Sequence, residues 1–268
     1  MLLLLTQTAL AGWTQPQGAH YAKVGVRGIV GNRAMLAEGI TIATVDQEVE
    51  VEPLQDWALQ LYGEYGISDD WTGVIQASPV GFSRYGDRST VYTGQLKLGI
   101  RHGLMTGTHN LAVQVDVGYT PPLGQEDLSA GSLLPELVFV PIESHVEAGG
   151  QLQYGAGFGH NWVSLAAGAA WLSTLDPIAM GGFSLGRTFP KRGNRLDLHI
   201  PFRIPFAPLR EPANFAGTGD TRYIGIGIGY TFTFGDGWGV QTSGEAVLVG
   251  AANIGAPTIP LYLEHKGG

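Results

Sequence analysis

The stretch LAVQVDVGY, Leu111 to Tyr119, alternates without a break. Leu111, Val113, Val115, Val117 and Tyr119 fall on one face, and Ala112, Gln114, Asp116 and Gly118 on the other. A period of two residues is that of a β-strand, whose successive side chains point to opposite sides. The same period returns in IGIGIGYTFTF (224–234), GQLKLGIR (94–101), VEAGGQLQYGAGF (146–158) and LQLYGEYGI (59–67). Segments of this kind are expected near residues 20–30, 57–67, 71–80, 90–102, 109–119, 145–158, 162–172, 178–188, 195–206, 221–234, 238–248 and 257–265. That makes about twelve strands, within two either way, most with the roughly 9–11 residues that a tilted strand needs to cross a bilayer.

Composition agrees with an all-β chain. The 268 residues include 41 Gly, too many for long helices, and no Cys, which removes disulfides and thiolate metal sites. Only 14% of residues are charged against 44% hydrophobic, and the formal charge of −8 offers nucleic acid no basic field. The start, MLLLLTQTALAGW, joins an apolar run to Ala9-Leu10-Ala11, the small-residue pattern of a signal peptidase site. Residues 1–11 are therefore expected to be a truncated signal peptide, and 12–268 a single domain. No later run approaches the roughly 20 apolar residues of a membrane helix.

The alternation leaves open which face meets water. The polar face is mostly Gly, Gln, Thr and Ser, whereas a soluble exterior would carry more Lys and Glu. Nearly every strand supplies several large apolar residues, more than a barrel of this size can pack inside. In hydrocarbon every backbone N–H and C=O must still be paired, so the sheet must close. The expected fold is a closed antiparallel transmembrane β-barrel in the cell outer membrane, with outer-membrane lipid as its surroundings. Tight turns at Ser68–Asp70, Gly159–Asn161 and Gly235–Gly237 alternate with longer links such as 31–56 and 120–144, the rhythm of short periplasmic turns and long outer loops.

Each of those three tight turns leads into a Trp. Trp71, Trp162 and Trp238, with Tyr65, Tyr119 and Tyr230, are expected to form girdles at the membrane interface, where an aromatic ring keeps its polar tip wet. On the inward face the alternation places Lys23, Arg27, Lys97, Arg101, His199 and Arg203 with Glu64, Asp116, Glu147, Asp197 and Glu245. These are the expected lumen-lining residues. They either line a narrow watery path and set its selectivity, or pair across the lumen into a plug. The inward Gly225, Gly227 and Gly229 are expected to leave room in the lumen. Pro201 and Pro205 cannot donate to a ladder and predict a bulge, or a strand ending near Ile200.

Trp13–Gly28, WTQPQGAHYAKVGVRG, followed by Leu59–Val80, LQLYGEYGISDDWTGVIQASPV, resembles the opening hairpins of the MetA-pathway phenol-degradation-like group of outer-membrane transporters. Tyr65, Gly66, Ile67 and Asp69 match that group's turn, and Pro79 its strand end. The resemblance spans about a third of the chain. It implies passage of a small, apolar or aromatic solute and insertion by the barrel-assembly machinery. The carboxyl end, PLYLEHKGG, departs from the usual aromatic-terminated last strand.

Enzymatic signals are weak, and no cofactor or metal site is expected. Gly182-Phe183-Ser184-Leu185-Gly186 has the GxSxG outline but lies inside a strand, not at a strand-to-helix turn. His145 with Glu147, or His109 with Asp116, matches no recognised catalytic motif. The acidic Asp46–Pro53 segment reads as a strand extension above the membrane, either a solvated hairpin or a site for divalent cations. Ser132–Ile142, SLLPELVFVPI, is unusually apolar for a loop and either folds into the mouth as a lid or forms short strands. Three functions stand: a narrow channel, a non-conducting structural or surface barrel, and a soluble periplasmic ligand-binding protein.

Overall fold

A computed structural model describes residues 13–35, 41–42, 48–130, 137–191, 193–216 and 219–268. The expected signal peptide lies outside the described residues. Fourteen strands of five or more residues carry the fold. In chain order they are β1 His20–Met35, β2 Glu48–Ser68, β3 Trp71–Ala77, β4 Gly81–Tyr85, β5 Arg88–Tyr92, β6 Leu96–Met105 and β7 His109–Thr120. There follow β8 His145–Phe158, β9 Asn161–Leu172, β10 Leu175–Phe189, β11 Asn194–Pro205, β12 Arg222–Phe234, β13 Trp238–Ala251 and β14 Thr258–Gly267.

Every pairing among these is antiparallel, and the ring closes. β14 pairs with β1 from His20↔Gly267 to Ile29↔Thr258, while β1 pairs with β2 over most of its length. From there each stave has two neighbours through β3, β6 and on to β13, giving a barrel of 12 strands. β4 and β5 form a hairpin that continues the sheet beyond β3 and β6. The break between β3 and β4 falls at Ser78-Pro79-Val80, where Leu59 N–H still reaches the Val80 carbonyl at 2.9 Å. Closure removes the edge that an open sheet would present to lipid.

The wall has the inside-out arrangement expected for a membrane. On β7, Val113, Val115, Val117 and Tyr119 are exposed, while Ala112 and Gln114 have no exposure at all. The same holds for Leu96, Leu98 and Ile100 on β6 and for Leu261 and Leu263 on β14, so the apolar belt runs around the ring. These side chains meet acyl chains, and a soluble ligand-binding protein is the wrong reading of this surface. Val115→Arg, near the middle of that belt, is therefore expected to cost about 2–4 kcal/mol of folding stability in a bilayer. Urea titration in vesicles of the variant against the unaltered chain measures it.

The turn rhythm is only partly as expected. The short-turn end has links at 69–70, 106–108, 159–160, 190–193 and 235–237, together with the start of β1 and the end of β14. The opposite end carries the long links 121–144 and 206–221 but also two tight turns, at 86–87 and 173–174. The expected link 31–56 is mostly strand: β1 and β2 stay paired up to Met35↔Glu48, with a bulge between Gly31 and Arg33. Asp46 and Gln47 lie outside the described residues.

The prolines do not end β11. Pro201 and Pro205 hold their register with β10, opposite Gly182 and Ile178. Against β12 the ladder lapses between His199↔Gly227 and Phe202↔Ile224 without changing register. The irregularity moves to the next pair, where β12 and β13 shift register between Ile224 and Gly225. A missing N–H is thus accommodated by a short gap in pairing and a bulge one strand away.

Candidate functional site

Among the described residues, most of the buried charges collect in the barrel interior. The structure puts Lys23, Arg27, Glu64, Lys97, Arg101, Asp116, Glu147, Asp197, His199, Arg203 and Glu245 on the inward face, all buried. Most of them meet as ion pairs, largely between strands with another stave between them, because a lone charge in a low-dielectric interior costs several kcal/mol.

Toward the short-turn end, Arg101 on β6 pairs with Glu64 on β2 at 2.9 Å. Its Nε donates to Gln114 Oε1 at 3.0 Å, and Gln153 Nε2 donates to the same oxygen at 3.1 Å. Gln114 Nε2 in turn donates to Asp116 Oδ1 at 2.8 Å, so one chain of polar groups crosses β2, β6, β7 and β8. Lys97 pairs with Glu147, which also accepts from Gln95 Nε2 at 2.7 Å. Arg27 pairs with Asp56, and Tyr92 donates its hydroxyl to that carboxylate at 2.8 Å. Arg195 lies 2.5 Å from Glu264, which also accepts from the Tyr21 hydroxyl at 2.8 Å. His199 sits between Asp197 at 3.3 Å and Glu245 at 3.4 Å. Lys23 instead lies over the Tyr262 ring, its Nζ 4.6 Å from the centroid, as a cation–π contact.

Inward glycines do not leave the lumen open. A Cβ at Gly227 would fall 2.1 Å from His199 Nε2, and one at Gly229 2.8 Å from Asp197 Oδ1. At Gly99 it would meet Asp116 Oδ1 at 2.1 Å. Each glycine is a notch into which a large polar neighbour lies across the strand. Gly227→Ala is accordingly expected to push His199 out of its acid pair. The measurement is the fraction of heat-modifiable folded barrel on a gel, which should fall relative to Gly244→Ala, where an added Cβ meets nothing within 4 Å.

Above the charges, at the long-loop end, the mouth is apolar. Phe139 and Phe215 stack with centroids 5.1 Å apart, and Tyr85 lies 5.5 Å from the first and 6.1 Å from the second. Ile29, Leu54, Leu128, Tyr223 and Ile254 complete the cluster. Phe139 and Phe215 come from the two long links, which are clasped to one another. Leu137–Val138 pairs in parallel with Ala213–Asn214, and the Asn214 side chain bonds both the N–H and the carbonyl of Val140 at 3.1 Å. Arg210 reaches Asp220 at 2.8 Å and Glu143 at 2.5 Å. Burial opposes its charge, but the hydrogen bond and charge of Asp220, together with Glu143, hold its pKa above the usual arginine value. Of the apolar segment 132–142, residues 132–136 lie outside the described residues. Phe139 and Ile142 are folded inward and buried.

The aromatic residues divide. Trp71, Trp238, Tyr65 and Tyr230 face outward toward the short-turn end, and Tyr119 faces outward near the other end of β7. Trp71 stacks on His102 at 4.2 Å, and Trp238 lies tilted against His265 at 4.5 Å. Trp162 does not join them. It is 6% exposed and turned into the lumen, against Gly186. The turns explain why. Trp71 and Trp238 are the first residues of their strands and pair with Ser68 and Phe234, whereas at the third turn Asn161 takes that place opposite Phe158. One residue of slip puts a side chain on the other face.

The weak enzymatic signals stay apart. Ser184 lies within β10 opposite Ser164 and His199, but both His199 nitrogens face carboxylates. His109 is outside the wall, bonded to Tyr154 at 2.6 Å, and does not meet the inward Asp116. His145 Nε2 is 3.9 Å from Glu147. Glu50 and Glu52 are exposed, and among the described residues no three metal-ligating side chains cluster. The strict reading of alternation also missed Asp56, the partner of Arg27, and the pair Arg195–Glu264. Asp56 shares parity with Glu64, Arg195 with Asp197 and Glu264 with Tyr262, so extending the same period would have found them.

No protein-family model matches the chain, and no curated protein matches it either. Among solved structures it is similar to the COG4313 outer membrane channel from Pseudomonas putida F1, at 16% identity, over 96% of this chain and 98% of that one, with a TM-score of 0.65. It is also similar to the translocator domain of the autotransporter NalP from Neisseria meningitidis, at 12% identity, over 92% and 88% of the two chains, with a TM-score of 0.51. With its closed ring and apolar wall, the chain has the fold of an outer-membrane β-barrel.

Proposed function

We propose that the protein is a narrow outer-membrane channel for a small apolar or aromatic solute, with the short-turn end toward the periplasm. The observation that carries this reading is the mouth. Two long links turn inward and place Phe139 and Phe215 over the lumen, where a barrel serving only as a wall would leave such rings in its loops. A flat hydrophobic solute can exchange with these rings at small cost, whereas a sugar would lose hydrogen bonds it makes in water. Below them the ion pairs present a polar path whose members can trade partners with one another. The resemblance to a phenol-degradation-like transporter group and the channel fold support the same reading.

A non-conducting barrel is the competing reading, favoured by the burial of the lumen charges. Planar-bilayer recording of the purified barrel, with vesicle uptake of small phenols against sugars of similar mass, separates the two. Resolved conductance steps and faster phenol entry are expected. Silent membranes across a range of salt would contradict the channel.

A further inference from the structure

One lumen cation rests on rings where the others meet acids. Lys23, on β1, is 3% exposed, and its Nζ has no hydrogen-bond acceptor among the described residues. It lies 4.6 Å from the centroid of the Tyr262 ring and 5.7 Å from that of Tyr62, on the two strands that flank β1. The two acids beside it are turned elsewhere. Glu264, directly opposite on β14, is 2.5 Å from Arg195 and accepts from the Tyr21 hydroxyl. Glu64, two residues along β2 from Tyr62, is 2.9 Å from Arg101.

Both rings are held by their own hydroxyls. Tyr262 donates to Gln60 Oε1 at 2.5 Å, and Tyr62 donates to Glu64. Gly25 makes room for the first ring, since a Cβ there would fall 2.4 Å from Tyr262 Cδ1. The tyrosines thus present their faces to the ammonium and spend their polar ends on other partners. A ring face attracts the charge but returns only part of the hydration an ammonium loses on burial. The donors of Nζ remain for whatever enters the lumen.

We propose that Lys23, Tyr62 and Tyr262 form a seat in the barrel wall for the carboxylate of a small aromatic acid. One ammonium flanked by acids that already have partners suits a single negative charge, and the ring attached to that charge can lie against the tyrosines. The seat names a solute class within the channel reading above, on which its use in passage rests. Binding at the seat does not depend on conduction.

The test uses the intact barrel reconstituted in vesicles at neutral pH, with para-fluorobenzoate as the probe. Its fluorine NMR line should broaden saturably, and excess benzoate should reverse the broadening. Benzamide, uncharged and of the same shape, should displace the probe about tenfold less well. Lys23→Met strands no acid, because Glu264 and Glu64 keep their arginines, so it should fold and bind the probe about tenfold more weakly. Lys23→Arg should stay within about threefold of the unaltered chain. Displacement by benzamide or by chloride as readily as by benzoate would overturn the seat, as would equal binding in Lys23→Met. Entry of benzoate into the vesicles is the second readout, and it should fall with Lys23→Met. Weakened binding with equal entry through both barrels would overturn the role in passage. Weakened binding with no entry through either would sink the channel reading and leave the seat standing.

Discussion

Arg101→Met is expected to destabilise the barrel by about 3–5 kcal/mol, the largest effect of any single lumen substitution. Methionine nearly fills the space but leaves Glu64, 5% exposed, without the guanidinium that lies 2.9 Å from it. The same change removes the donor to Gln114 and the donor to the Trp13 carbonyl. Removing both charges should behave differently. Arg101→Met with Glu64→Gln should recover much of the loss, because no buried charge is then left alone. Urea unfolding in vesicles, followed by tryptophan fluorescence, reads both variants. A single variant within about 1 kcal/mol of the unaltered chain would mean that Glu64 is hydrated, and the lumen wetter than described.

Phe215→Ala comes next. Phe215 has no exposed surface, stacks on Phe139 and packs tilted against Tyr85, so its loss should leave a cavity worth about 3–5 kcal/mol to the mouth. The effect should be local. The ring of strands does not depend on this cluster, so the folded band on a gel should persist. Protease cleavage in the 206–221 link should quicken, and on the channel reading phenol uptake should rise, because the ring lies in the buried cluster at the mouth. Unchanged cleavage and uptake together would show that the stacked rings neither hold the links nor obstruct the path.

The fold was legible because its strongest signal is local. Val113, Val115 and Val117 specify a strand and a face with no knowledge of neighbours, and the same period along the chain makes a ring the only arrangement that hydrocarbon allows. The inward charges were legible for the same reason. What alternation cannot give is depth and partnership. That Arg101 meets Glu64, while Lys97 meets Glu147, depends on strand stagger, which one sequence does not state. Gly227 and Gly229 looked like space, but across a strand each faces a large side chain that fills it.

Trp162 shows how narrow the margin is. Its turn resembles the two others, yet the strand begins one residue earlier, at Asn161, and the ring goes inside. The mouth was least legible. Phe139 and Phe215 are about 75 residues apart in sequence, and only the clasp between the two long links brings them into contact.

The central claim is that the apolar face looks outward. Nitroxide labels at Val115 and, separately, at Gln114 of the reconstituted barrel test it most directly, by their relaxation in oxygen and in a water-soluble nickel chelate. The label at 115 should respond strongly to oxygen and hardly to nickel, as a group among acyl chains does, and the label at 114 should show no lipid contact. A label at 115 shielded from oxygen, with the one at 114 open to lipid or bulk water, would contradict the account.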